Sequence, residues 1–420
     1  MSHFVLADCN NFFVSCEKLF NPKLEGRPVV VLSSNDGCVV SRSQEAKRIG
    51  IKMGQPYFQI KDLCSLSKVA VFSSNYRLYG DLSERMMNVL SSASPDMEVY
   101  SVDEAFLNFS DSLESEVVFS NCVELRARVK KWVGLPISLG VAPTKTLAKI
   151  AGDVAKRSAV GVFNLSLPVV QKEVLQAVPV HEVWGVGSKL SEMLRGMGIR
   201  TAWDFREADL IRIRKKMGVM GERIVLELRG VSCLGLEEPQ PKKSIICSRS
   251  FGQVISKKEE VAEALSTFAS AACETLREQG SYTCAMSVWL EAVLDAKLGT
   301  RRHYSRLHAF AFPTSDTPQI ITAAKSILSN LFIPTEQYKK CGIVLLDLIS
   351  EDLVVPDLFL GGVDPKRKAA MKTLDAVNEQ FGKKSLFFGA MGTDAKWKTR
   401  SDKGSQYNTV EWDALPIVKA

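Results

Sequence analysis

The stretch Glu237-Glu238-Pro239-Gln240-Pro241-Lys242-Lys243 divides this chain. It has two prolines and four charged side chains with no apolar residue, so it can neither continue a helix nor add to a core. The blocks on either side are long and differently patterned. With 420 residues in all, the chain is expected to form several domains of roughly 100–150 residues rather than one.

Before the linker the pattern alternates between strand and helix. Phe4 to Ala7 is a short β-rich run ending in Asp8, and Pro28 to Leu32 is a second, stopped by Ser33-Ser34-Asn35-Asp36-Gly37. Leu78, Leu82, Met86, Val89 and Leu90 recur at helical spacing within Asn75 to Ser92, and Glu98 to Phe109 then alternates like a hairpin. A helix from Val117 to Trp132, a strand from Ile137 to Val141 and a helix opening near Pro143-Thr144 complete an α-plus-β unit by about Phe163. Pro168 to Val231 changes character: Gly185, Gly187, Gly198, Gly218 and Gly221 separate short helices, predicting a small all-helical module.

After the linker come a strand at Ser244 to Phe251, a helix at Val261 to Glu278, a strand at Thr283 to Ala292, a helix near Ile320 to Leu331 and a strand at Gly342 to Leu348. We read this block as a βαββαβ, ferredoxin-like order. Beyond Ser350 the patterning is weak apart from one helix at Lys366 to Phe381.

Composition excludes more than it identifies. A chain with 46% hydrophobic and 24% charged residues folds rather than staying disordered, and a net charge of +7 permits a nucleic-acid partner without demanding one. The ten cysteines form no Cys-x-x-Cys pair, so they read as reduced thiols. Neither a secretory leader nor a run of ~18 apolar residues is visible, which makes the cytoplasm the expected location and a membrane an unexpected partner.

Three acids invite a chemical reading. Asp8 ends the first strand, and Asp103-Glu104 lies inside the hairpin between Val102 and Phe106, where two adjacent carboxylates are costly without compensation. Converging, their hard oxygens suit a pair of Mg²⁺ ions about 3.5–4 Å apart that activate a hydroxyl and stabilise a leaving pyrophosphate. Taken alone, such acids serve equally as turn caps or partners of surface lysines, and a two-metal nuclease or nucleotidyl cyclase would use the same ligands.

The surroundings of these acids carry a resemblance. The segments Asp8 to Glu17 (DCNNFFVSCE), Arg27 to Gly54 (RPVVVLSSNDGCVVSRSQEAKRIGIKMG), Phe72 to Gly80 (FSSNYRLYG), Tyr100 to Phe106 (YSVDEAF), Gly140 to Ile150 (GVAPTKTLAKI), Val183 to Gly187 (VWGVG) and Ile246 to Gly252 (ICSRSFG) resemble UmuC-type Y-family translesion DNA polymerases. The likeness runs from the N-terminus to about Ile349.

This implies an α+β right hand. The expected parts are a ferredoxin-like palm at 1–165 with small fingers inserted at about 28–72, a helical thumb with a helix-hairpin-helix at 166–236, the linker at 237–243, a βαββαβ little finger at 244–350 and a C-terminal tail at 351–420. It implies error-prone addition of deoxynucleotides opposite damaged template, as in the SOS response, with two Mg²⁺ held by Asp8, Asp103 and Glu104.

Phe13, beside Phe12, matches the aromatic that bars a ribose 2′-hydroxyl; UmuC itself carries Tyr there. Ser41, Gln44, Lys47 and Lys156 fall where the family binds the triphosphate, although many members have Tyr and Arg in place of Gln44 and Lys47, and Arg42, next to Ser41, is within reach of the triphosphate or the templating base.

For DNA, the resemblance points to the backbone at Gly185 and Gly187 with Lys189, since glycines let N–H groups approach a phosphate. A bare Gly-x-Gly is equally a structural turn. Lys243, Arg249, Arg301 and Arg302 supply cations to the little finger. Leu358 and Phe359 fall where relatives dock in the sliding clamp, with Val355 in place of a Gln. Primer-template DNA, deoxynucleoside triphosphates, UmuD′-like subunits, RecA and the clamp are the implied partners.

Overall fold

The computed structural model describes residues 3–94, 96–110, 113–238, 240–295, 300–356, 362–393, 397–405 and 409. They fall into two compact units, one of Met1–Ser33, Gly37–Glu238 and Lys403–Ala420, the other of Ser34–Asp36 and Pro239–Asp402.

The first unit begins with β1 (His3–Cys9), α1 (Phe12–Phe20), β2 (Val29–Leu32), β3 (Val39–Arg42), α2 (Gln44–Arg48), α3 (Tyr57–Leu66), β4 (Ala70–Ser73) and α4 (Tyr76–Ser91). It continues through β5 (Met97–Val99), β6 (Glu104–Phe109), α5 (Ser115–Trp132), β7 (Ile137–Ala142), α6 (Lys145–Ala155) and β8 (Val162–Asn164). The helical module follows as α7 (Pro168–Ala177), α8 (Ser188–Gly196), α9 (Ala202–Glu207) and α10 (Leu210–Leu228). Five strands form the larger sheet in the order β5-β6-β1-β7-β8, and β3-β2-β4 form a small one.

The period of two along β1 sets up the site. Val5, Ala7 and Cys9 face a core shared with α1, α4 and α5, whereas Phe4 and Leu6 face a second core with α6 and the helical module. Asp8 is next in the Phe4-Leu6 series and so faces α6. Phe106 joins the same core from β6, which places Glu104, two residues earlier, on that face as well.

Helix α6 is capped by Thr144, whose hydroxyl accepts from the Leu147 N–H, and it lies against the sheet at backbone distance. A Cβ at Gly140 of β7 would come within 2.2 Å of the Gly152 nitrogen, so only glycine fits there.

In the helical module, Gly185 takes φ +86° ahead of α8, and Gly218 takes φ +70° inside α10, splitting it where the sequence places a glycine break.

The second unit contains β9 (Ile245–Ile255), α11 (Lys258–Glu278), β10 (Ser281–Asp295), β11 (Thr300–Thr314), α12 (Thr317–Leu331), β12 (Tyr338–Ser350) and α13 (Pro365–Phe381). Its sheet is antiparallel in the order β11-β10-β12-β9, and α11 and α12 pack on it. The reading of this block located every element except β11. That edge strand is exposed at most positions and rich in arginine and histidine, so its apolar alternation is thin.

The tail is better built than its patterning suggests. Helix α13 is fastened by Arg277, which donates to both carboxylate oxygens of Asp375 at 2.6 and 2.7 Å, and Phe388 and Trp397 join the unit's core. Among the described residues, no helix is long and apolar enough to cross a membrane.

Candidate active site

Asp8 and Glu104 are cross-strand partners in the β1–β6 register. Asp103 lies in the turn just before β6, where its backbone carbonyl accepts from the Cys9 N–H at 2.9 Å. The Ser101 hydroxyl donates to the Asp103 carboxylate at 2.7 Å and accepts from the Glu104 N–H at 3.1 Å, fixing the turn that presents both acids.

Opposite them, Lys145, Lys149 and Lys156 recur at spacings that place them along one side of α6 and its C-cap. Each meets an acid of the sheet: Lys145 pairs with Glu98, Lys149 with Glu104 at 2.8 Å and Lys156 with Asp8 at 2.8 Å. The Lys149 ammonium also lies 4.4 Å from the Tyr100 ring centre and 5.4 Å from that of Trp184. The first and second of these lysines escaped the sequence reading, although the four-residue spacing on a helix opening at Thr144 was available as a signal.

The compensation is uneven. Burial pushes the Asp8 carboxyl up from 3.8 to about 7; Lys156 opposes the rise and the neighbouring Glu104 adds to it. Glu104 goes the other way: its burial is outweighed by hydrogen bonds from Lys149 and Asp8 and by the positive charge of Lys149, and its pKa falls. Asp8 is therefore a buried carboxylate with too little positive charge around it.

A cavity of about 730 Å³ opens at this point. Asp8, Asp103 and Lys156 line one part of it and Phe12, Phe13, Ser41, Arg42, Gln44 and Lys47 another, so ten of the residues singled out from sequence gather here once Glu104, hydrogen-bonded to Asp8, is included. Asn10, Asp153 and Arg157 also line it, without having been singled out.

Ser43 caps α2, directing Gln44 and Lys47 toward the opening, and the Arg42 guanidinium donates to the Ile51 carbonyl. Burial lowers the Lys47 pKa, and the nearby charges of Arg42 and Lys156 lower it further. Lys156 is answered by Asp8 and Asp153, so the shortfall of negative charge falls on Lys47. Phe12 is a core ring, 3% exposed, whereas Phe13 is half-buried and stacks on Tyr79 with ring centres 4.5 Å apart.

The donor set fits a hard dication. The carboxylates supply oxygen only, and the under-compensated Asp8 is the group a nearby positive charge would relieve. Among the described residues, no three carboxylate, imidazole or thiol groups are drawn tightly enough together to enclose an ion, and Glu104 is paired with Lys149.

The remaining sequence-derived residues lie elsewhere. Gly187 is the N-cap of α8 and Lys189 is exposed in its first turn. Lys243, Arg249, Arg301 and Arg302 belong to the second unit and are exposed. Adjacent on β11, Arg301 pairs with Glu291 at 3.1 Å and Arg302 with Glu336 at 3.1 Å. Leu358 and Phe359 lie outside the described residues.

The fold is that of the Y-family DNA polymerases. A Y-family polymerase chimera built on Dbh is similar with a TM-score of 0.64 at 21% identity, covering 83% of this chain and 99% of that one. The insertion ternary complex of Dbh DNA polymerase gives 0.56 at 20% identity, with the same shares of each chain covered.

Sequence relatives are more alike. Protein ImpB of Salmonella typhimurium is 40% identical over 425 residues, 99% of each chain, and Protein UmuC of Salmonella typhimurium is 39% identical over 99% of this chain and all of that one. DNA polymerase IV of Bacillus velezensis is 25% identical over 96% of this chain and 95% of that one. The impB/mucB/samB family matches residues 7–153, its C-terminal domain matches 242–358, and a domain of unknown function, DUF4113, matches 368–418. The chain belongs to the impB/mucB/samB family.

Proposed function

We propose that this Y-family polymerase extends a primer opposite damaged template, with Asp8, Asp103 and Glu104 holding two Mg²⁺ ions and the Arg42–Lys47–Lys156 cluster receiving the triphosphate of the incoming nucleotide. Bound there, Mg²⁺ would make the primer 3′-hydroxyl a better nucleophile and neutralise charge on the departing pyrophosphate.

The observation that supports this best is the meeting, across one cavity, of the under-compensated acid Asp8 with Lys47, a cation weakened by burial and by the charges of Arg42 and Lys156. A nucleotide–metal complex completes both at once. Lys156 stands between the two sets and holds Asp8 while facing the phosphate side. Phe13 lines the cavity, and there it would meet the sugar of the incoming nucleotide, admitting a deoxyribose and barring a 2′-hydroxyl. A site opened by such small fingers tolerates bulky lesions and discriminates weakly between bases.

On this reading, palm and fingers occupy 1–165, the thumb 166–236, the linker 237–243, the little finger 244–350 and the tail 351–420. Gly185, Gly187 and Lys189 receive template phosphates in the thumb, and Lys243, Arg249, Arg301 and Arg302 receive them in the little finger. UmuD′-like subunits, RecA and the clamp, the last through Leu358 and Phe359, are the expected protein partners, and the cytoplasm is the expected compartment.

Primer extension on undamaged and abasic templates, comparing wild type with Asp103→Ala in Mg²⁺ with and without those partners, tests the proposal. Extension lost in the variant supports it. Absence of wild-type extension in every condition, with primer-template still bound, would leave a non-catalytic DNA-binding protein.

A further inference from the structure

Behind Phe13 lies a buried construction that the nucleotide-binding reading does not use. Phe13 stacks nearly parallel on Tyr79, at 4.5 Å and 16°, and the Tyr79 hydroxyl donates to the Glu17 carboxylate at 2.6 Å. Tyr79 is 1% exposed and Glu17 3% exposed. A carboxylate this deep needs partners.

One comes from the far end of the chain. Ser405 hydrogen-bonds to Glu17 and accepts from the Asn75 side-chain amide at 3.0 Å. Asn75 is itself the N-cap of α4, the helix that carries Tyr79, and its side-chain oxygen accepts from the Leu78 N–H. Two residues earlier, Lys403 runs along the end of β4, an outer strand of the small sheet. Its carbonyl accepts from the Ser73 N–H and its N–H donates to the Ser73 hydroxyl, both at 2.9 Å. The C-terminal strap therefore grips both the cap of α4 and the acid that orients Tyr79.

We infer that the strap at Lys403–Ser405, acting through Glu17 and Tyr79, is a positioning element for nucleotide selection that sets how firmly Phe13 is held against the sugar of the incoming nucleotide. This rests on the reading of Phe13 given above. Stacking by itself fixes the plane of a ring but leaves it free to slide; the Tyr79–Glu17 hydrogen bond removes that freedom from the supporting ring, and Ser405 removes it from Glu17. A loosened Phe13 gives way to a 2′-hydroxyl, so the cost falls on ribonucleotide exclusion.

The test is single-nucleotide insertion by the full-length chain on primer-template, read as the ratio of kcat/KM for a deoxynucleotide to that for its ribonucleotide, alongside the melting temperature of each variant. Glu17→Ala and Tyr79→Phe should each lower the ratio about tenfold, and Ser405→Ala about threefold, as expected for loss of a buried hydrogen bond to a charged group and of a weaker one. Glu17→Gln keeps an acceptor for both hydroxyls and should restore most of the ratio, which a merely structural acid would not do.

Phe13→Ala is the control. If it leaves the ratio unchanged, the reading of Phe13 fails and this inference with it. If it collapses the ratio while Ser405→Ala and Glu17→Ala leave it at the wild-type value, the inference alone is overturned. A fall in melting temperature without a change in ratio would likewise reduce the strap to a stabilising tie.

Discussion

Two partly buried ion pairs in this molecule have similar ingredients and different outcomes. In the second unit, burial works against the Arg277 charge, but the hydrogen bonds and charge of Asp375 overcome it, and the guanidinium is held more firmly than in water. The Ser315 carbonyl and the Thr317 hydroxyl satisfy its remaining donor. In the first unit, Lys156 is likewise strengthened, by Asp8 and Asp153, yet Asp8 is pushed up to about 7. One pair is closed and fastens a helix. The other is closed on the cation's side and left open on the acid's side. A fully satisfied ion pair is a fastener; one left unsatisfied on a single side is a socket.

The sharpest way to break the comparison is to neutralise the open acid. Asp8→Asn should lower nucleotide insertion by about a thousandfold, the cost of losing a charge-stabilising group at a reacting phosphate. It should do so without weakening the fold. The folded-state pKa of Asp8 lies above its ordinary value, so the folded chain binds that proton more tightly than the unfolded chain. The stability this confers is complete below about pH 4 and is lost as pH rises to about 7. Thermal melts should therefore show Asp8→Asn gaining on the wild type between about pH 4 and pH 7 and then keeping a constant offset.

Opening the closed pair should do the reverse. Asp375→Ala leaves Arg277 without its bidentate partner and should destabilise the second unit by about 2 kcal/mol, given the partial exposure of Asp375. Urea titration and proteolytic release of α13 would show this, with single-nucleotide insertion retained.

Much of the first unit was legible because its determinants are local. Short apolar, β-rich runs marked β1 and β7, and the helical spacing of its apolar residues marked α4. The pairing of Lys145 and Lys149 with Glu98 and Glu104 was not legible, since it depends on which strand α6 crosses. Strand β11 was hidden for a different reason: an edge strand exposed on most of its length has little apolar alternation to display. The tail was hidden for a third. Phe388 and Trp397 each pack singly into a core built by distant residues, and isolated apolar residues carry no period.

Two smaller effects sharpen the contrast. Mg²⁺ added without nucleotide should raise the melting temperature of the wild type by a few degrees, about 1 kcal/mol of binding at millimolar excess, and leave Asp8→Asn unmoved. A rise shared by both proteins would place the ion elsewhere. The smallest effect belongs to the surface pairs. Arg301→Ala should weaken primer-template binding uniformly across sequences and reduce the slope of log affinity against log salt by about one, whereas Arg302, held by both Glu336 and Tyr304, should contribute less.

The contact between Gly140 and the α6 backbone bears on how this site can vary. Because the helix rests directly on the strand, no side chain at that point can act as an adjustable shim. The ammonium groups of Lys145, Lys149 and Lys156 are then three marks on one ruler laid against the sheet. Any change that lifts or slides the ruler displaces all three together. Errors in placing the glutamate partners and the aspartate partner are thus correlated, and substitutions under α6 should register as a joint loss of all three pairings.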